Sequence, residues 1–174
     1  TYTGAAVKVI TGLSHLEAAS VIVWGDGADF SPTTSGVQRT YTVSGGSITL
    51  DTAVSNAVIG LPYIAQWQSA KLGIQPSAIN PTLNQQKRIN HVGVVATFFH
   101  PKGIQFGPDF SHLDNMPTIE SGAVVSSTAI RTDYEEQEIP FDGPWTTDAR
   151  LCLQAQAPRP ITLLAAVVNM ETVS

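Results

Sequence analysis

At 174 residues the chain is long enough to bury a substantial core, as one large domain or two small ones. Its formal charge of −5 and single basic pair, Lys87-Arg88, argue against an electropositive groove for nucleic acid, which would need clustered Lys and Arg. Charged residues make up only 13% against 43% hydrophobic, so part of the surface is expected to be covered by partners rather than water.

In chain order, Ala5 to Thr11 reads as a first strand and Val21-Ile22-Val23-Trp24 as a second. Asp26-Gly27 after it predicts a type I′ hairpin, whose two central residues need positive φ. A calcium loop is the weaker reading of Asp26 and Asp29, because Phe30-Ser31-Pro32 breaks the alternation of oxygen ligands. A polar loop over Ser31 to Gly36 leads into a strand from Gln38 to Val43. Ser44-Gly45-Gly46 then supplies a tight turn before Ser47 to Leu50, and Ala57 to Gly60 forms another short strand. Leu61-Pro62-Tyr63 is a corner, since proline lacks the N–H a continuing ladder requires.

Beyond the corner, Ile64 to Leu72 reads as a strand or a short helix, and Pro76 to Asn84 as a loop. His91 to Phe99 is predicted to be a central strand covered on both faces, with Val92, Val94, Ala96 and Phe98 pointing one way. Ile104 to Phe106 runs back to a turn at Gly107-Pro108-Asp109-Phe110, and Ser111 to Met116 is assigned one helical turn. Ile130 to Tyr134 starts an edge strand, which Glu135, Glu136, Glu138 and Pro140 protect from unwanted pairing. Ala149 to Ala155 and Ile161 to Met170 are the last strands, the latter apolar on both faces and therefore predicted to be buried. The expected architecture is all-β: a small β-barrel or sandwich over residues 1–62, then a larger antiparallel β-sandwich region over 63–174.

Little in the sequence points to catalysis or a cofactor. His15, His91, His100 and His112 form no ligand motif, and no nucleophile elbow or phosphate loop is present. Asp109 and Asp114 read as turn-capping residues before paired catalytic carboxylates, and Cys152 as a small buried apolar residue. No run of about 20 apolar residues suggests a membrane-spanning helix. The expectation is a non-enzyme without cofactor or metal. Thr1 in the first position fits a removed initiator region or a longer product.

Several pieces together resemble the carboxy-terminal region of tailed-phage structural proteins related to tail tubular protein B, the tail nozzle. They are Gly12 to Glu17, Val21 to Gly27, Thr42 to Leu50, Val58 to Tyr63, Gln86 to Ile89, Gly107 to Phe110 and Arg150 to Val168, and their order carries the likeness. The resemblance implies a virion structural protein of the bacteriophage tail, made in the host cytoplasm. Its copies would form a ring that conducts DNA during ejection and binds neighbouring tail proteins, without sequence-specific DNA recognition. Family members are much longer, which implies that this chain is their last segment or a separate version of it. Leu61, Pro62, Tyr63, Pro108, Asp109 and Phe110 are the expected protein contacts. The rival is a carbohydrate-binding β module, a receptor binder or adhesin, with Trp24, Trp67 and Trp145 stacking on sugar rings.

Overall fold

The computed structural model describes residues 1–34, 37–73, 82–117, 119–120, 123–124 and 130–173. Of the loop predicted at Pro76 to Asn84, residues up to Pro81 lie outside them, as do the tip at Ser35-Gly36 and most of the small-residue stretch from Glu120 to Ser127, and Thr82–Asn84 form a single 3-10 turn. The protein is all-β, with antiparallel sheets, as composition and alternation predict. Among the described residues no helix is long and apolar enough to cross a membrane. The chain divides into two compact units, the first comprising Thr1–Ile64 with Gln156–Arg159, the second Ala65–Val125, Ile130–Ala155 and Pro160–Ser174.

The first unit contains β1 (Tyr2–Ile10), β2 (Ser20–Gly25), β3 (Ala28–Asp29), β4 (Thr33–Thr34), β5 (Val37–Gln38), β6 (Tyr41–Thr42) and β7 (Ile48–Gly60). Its main sheet runs β1-β7-β2-β3, with β6 also on β2 and β4–β5 a separate hairpin. The two short strands expected at Ser47 to Leu50 and Ala57 to Gly60 are one continuous β7. The exposed Asp51-Thr52-Ala53 hides this continuity in the hydrophobic pattern, while irregular pairing around Val7 and Val54 absorbs the change of register. β7 pairs β1 from Ile48 to Ala57 and β2 from Ala57 to Gly60, so one strand joins both sides of a curled half-barrel. Ile10, Val21, Val23, Val43, Ile48, Leu50 and Val54 fill its core.

Both predicted tight turns form, with φ of 45° at Asp26, 78° at Gly27, 57° at Gly45 and 67° at Gly46. Each is fastened by a carboxylate. Asp26 accepts the N–H groups of Ser55 (2.9 Å) and Asn56 (2.8 Å), which hold its carboxyl below the usual range. Glu17 accepts those of Gly45 (2.9 Å) and Gly46 (2.7 Å). Asp29 binds the Ser31 N–H and, at 2.9 Å, Arg159 Nε in a nearly buried ion pair. Asp26 and Asp29 thus serve turns and an ion pair.

The second unit contains β8 (Ile64–Gln68), whose first residue belongs to the first unit, then β9 (Lys87–Phe99), β10 (Ile104–Asp109), β11 (His112–Asn115), β12 (Ile119–Glu120), β13 (Ala123–Val124), β14 (Arg131–Pro140), β15 (Cys152–Gln156) and β16 (Thr162–Thr172). The sheets are β11-β10-β15-β8 and β14-β9-β16, with β12–β13 a separate hairpin. Ile104, Phe106 and Leu153 of the first sheet share one core with Ile89, Val92, Val94, Ala96, Phe99 and Ile139 of the second. β11 replaces the predicted helical turn at Ser111 to Met116, because pairing of Gln105 with Asn115 and Phe106 with Asp114 holds that segment extended.

The strand β9 is central, as predicted, but the alternation fails at its end. Phe98 takes a left-handed φ of 47°, which turns its ring out to 62% exposure and carries Phe99 into the core at 0%. There Phe99 stacks on Tyr134 at 4.5 Å between centroids. A left-handed phenylalanine costs roughly 1–2 kcal/mol, whereas burying an aromatic ring gains roughly 1.5–3 kcal/mol. Burial of the Phe99 ring therefore offsets the backbone cost at Phe98. β16 departs further from expectation: it is an edge strand rather than a buried one, with Leu164 64% and Val167 58% exposed. Its Ala166, Val168 and Met170 pack on the core, and its other face has no covering layer among the described residues.

The basic pair splits between two environments. Lys87 is fully buried, and its Nζ donates to the carbonyls of Leu83 (2.9 Å), Gln85 (3.3 Å) and Thr147 (2.9 Å), while loss of water pulls its pKa down. Arg88 instead pairs with Glu171 at 2.9 Å and lies over the Trp145 ring at 5.1 Å.

The strain at Phe98 sets opposite expectations for adjacent rings. Phe99→Ala should lose about 3–5 kcal/mol of stability in chemical denaturation, whereas Phe98→Gly, which accepts positive φ, should gain about 1 kcal/mol. Equal losses in both variants would refute the exchange.

Candidate functional site

The sheet β11-β10-β15-β8 carries a row of side-chain amides that crosses all four strands. Gln66 Nε2 on β8 donates to Gln154 Oε1 on β15 (2.7 Å), Gln154 Nε2 to Gln105 Oε1 on β10 (3.3 Å), and Gln105 Nε2 to Asn115 Oδ1 on β11 (3.1 Å). Pairing of Gln105 with both Gln154 and Asn115 puts these side chains on one sheet face. The opposite face supplies Ile104, Phe106 and Leu153 to the core. Every bond points the same way, so the row ends in an acceptor at the β8 edge and a donor at the β11 edge. The available signal was the i, i+2 spacing of Gln66 with Gln68 and Gln154 with Gln156, which sets amides on one strand face.

Of the predicted protein contacts, Pro108, Asp109 and Phe110 lie in β10 and the turn after it, and Leu61, Pro62 and Tyr63 precede β8 in the chain, within the first unit. Leu61, Pro62 and Tyr63 are exposed and lead into β8, one edge strand, and the Tyr63 carbonyl accepts the Ala157 N–H at 3.2 Å. Pro108 and Asp109 end β10, and the exposed Phe110 begins the turn into β11, the opposite edge strand. The Asp109 carboxylate accepts the N–H groups of Ser111 (2.7 Å) and His112 (3.0 Å) and meets His112 Nδ1 at 2.9 Å. The His112 contact, with the backbone bonds behind it, holds Asp109 below the usual carboxylate range. This is the predicted capping role. Gly107 is required just before it, since a Cβ there would collide with the His112 carbonyl oxygen.

Two cavities adjoin at this turn and share Pro108, Asp109 and Pro144. One, of about 330 Å³, is also lined by Gln68, Phe141, Asp148 and Arg150. The other, of about 580 Å³, is lined by His112, Asp114 and Asp142. Within this cleft Arg150 Nε binds Asp148 at 2.9 Å and its Nη1 binds the Ser69 carbonyl at 3.3 Å. Cys152 is buried, accepts from Gln68 Nε2 at 3.3 Å and has its thiol pKa pushed up by desolvation. Of the three tryptophans, Trp145 is half-exposed between the cleft residues Pro144 and Thr146, with Arg88 over its ring. Trp67 is exposed on β8, and Trp24 lies on β2 of the first unit, paired with Asp29 of β3. Among the described residues no three His, Cys, Asp or Glu side chains are grouped to hold a metal ion.

The chain matches no protein-family model, and no curated protein sequence matches it.

Gly107→Ala should cost roughly 1–3 kcal/mol through overpacking against the β11 backbone and break the Asp109–His112 contact. The depressed Asp109 carboxyl adds stability at pH above its ordinary value of 3.8, and that increment is lost as pH falls through the lower folded value. Asp109→Asn should therefore flatten the acid limb of a melting-temperature profile, and an unchanged limb would refute the linkage.

Proposed function

We propose that the chain is a virion structural protein, a β-rich subunit of a phage tail whose copies form part of a ring or conduit for DNA. The order of sequence pieces resembling tail-nozzle proteins favours this reading, and one observation carries it: among the described residues, no strand pairs with the outer edge of β8 or of β11 in the amide-laddered sheet. Its outer strands, β8 and β11, run antiparallel to their inner neighbours, so a β8 added beside β11 continues the alternation. The ladder ends in a donor on β11 and an acceptor on β8, the polarity that head-to-tail addition of identical copies extends. Repetition of such a heterologous contact closes into a ring when the rotation per copy divides the circle. Tyr63 immediately precedes β8 and Phe110 precedes β11, so each aromatic stands at the start of one of the two joining edges. The acidic balance suits a lumen through which DNA slides without sticking.

A second reading, carbohydrate binding, is favoured by the cleft beside Trp145. Acidic side chains, Arg150 and Gln68 offer donors and acceptors for hydroxyls, and its volume is in the range of small-molecule sites.

Negative-stain images and light scattering of the purified chain are expected to give rings of many copies. The Tyr63→Ala, Phe110→Ala double variant should remain folded but lose them, and rings that survive both changes would exclude this contact. If the cleft binds sugar, surface glycans of the host bacterium should quench tryptophan fluorescence in the wild type and not in Trp145→Ala. The absence of quenching in the wild type removes the second reading.

A further inference from the structure

The two edges of the sheet β14-β9-β16 are built in opposite ways. β14 carries Arg131, Asp133, Glu135 and Glu138, ends in Pro140 and has a pairing irregularity between Glu136 and Ile139. Charge, proline and bulges are the devices by which sheet edges avoid accidental pairing. β16 lacks the first two along most of its length: from Thr162 to Met170 it contains no charged residue and no proline, although its pairing with β9 shifts register between Leu163 and Ala165 and between Asn169 and Met170. Its charged residue, Glu171, is already bound by Arg88 Nε (3.0 Å) and Asn90 Nδ2 (2.9 Å) of its own sheet. Among the described residues β16 pairs only with β9. Leu163, Leu164, Val167 and Val173 are exposed along it, and Phe98 is exposed at the adjoining end of β9.

We propose that β16 is a self-pairing edge, through which two copies of this chain join antiparallel into one continuous sheet. The occupant is argued from charge. A copy's β14 would bring its four acidic residues, Asp133, Glu135, Glu136 and Glu138, against the apolar strand, whereas a copy's β16 brings an apolar one uncharged from Thr162 to Met170. Antiparallel pairing sets the two Glu171 residues at opposite ends, while parallel pairing would set like charges face to face, which is unfavourable. It also turns Leu164 of one copy toward Val173 of the other. Pairing along the edge removes the flanks of the exposed β16 side chains from water in both copies. Outward-facing backbone N–H and C=O groups of β16 gain partners at the same time. An isologous contact of this kind joins pairs and leaves the β8 and β11 edges open, so it does not rest on the ring reading.

Sedimentation velocity of the full chain, from micromolar to near-millimolar concentration, tests it together with hydrogen exchange. The wild type should show a concentration-dependent pairing step, of monomers or of rings, with amide protection over Leu163–Met170 that is lost on dilution. Val167→Lys should weaken this association roughly tenfold or more, because it forces a charge into the joined sheet. Val58→Lys, an exposed apolar position of the first unit, should leave it unchanged. A wild type that shows no such step at any concentration, a Val167→Lys variant that associates as the wild type does, or association without protection of β16 would each overturn the proposal. Hydrogen exchange on the wild type decides the case should the lysine variant fail to fold. Rings seen by microscopy without a Val167-sensitive contact would sink this inference alone, and a Val167-sensitive dimer without rings would sink only the tail reading.

Discussion

The second unit depends on the pairing of β9 along both of its edges. Its backbone bonds to β14 from His91 to Phe99 and to β16 from Lys87 to Thr97, so three distant stretches of chain share one register. A strand paired on both sides cannot slip without turning its buried residues to the opposite face. Val92, Val94 and Ala96 therefore stay on the core side, and Ile104, Phe106 and Leu153 of the other sheet pack against that side. The buried Lys87 anchors the start of the strand by gathering carbonyls from before it and from Thr147. At the far end, the left-handed Phe98 ends the alternation so that Phe99 completes the core.

Because β9 occupies the centre, the strands beside it are edges, and among the described residues nothing covers the apolar residues of β16 on the far face. The same holds for β8 at the rim of the laddered sheet, where Ile64 and Trp67 are exposed. A chain with this little charge keeps few means of protecting sheet edges, and it spends its acidic residues on β14 and on turns. Charge on an edge strand discourages further pairing, so β14 is protected in a way that β8 and most of β16 are not. The polar face of the laddered sheet is satisfied internally by amides, which bond to each other without net charge.

The turn at Gly107 to His112 links the second unit's two sites. A glycine that lets the β11 backbone approach, followed by an aspartate that collects two N–H groups and an imidazole, fixes both the β11 edge and the wall of the cleft. Assembly along that edge and ligand binding in that cleft would therefore compete for the same turn.

Local features were legible from residue order alone. The Asp26-Gly27 and Gly45-Gly46 turns, the capping role of Asp109, the acidic β14 edge and the burial of Cys152 follow from backbone sterics, hydrogen bonding and desolvation within a few residues. The all-β class follows from short apolar runs alternating between faces and punctuated by glycine and proline. Tertiary structure decided what depends on distant neighbours. The continuity of β7 through Asp51-Thr52-Ala53, the extended Ser111 to Met116 and the burial of Lys87 each rest on partners many residues away. An apolar strand pattern shows that both faces tolerate burial, but only the number of sheets in reach determines whether both are covered. For β16 one face is, which is why the residues that read as core in the sequence lie at the surface of the folded chain.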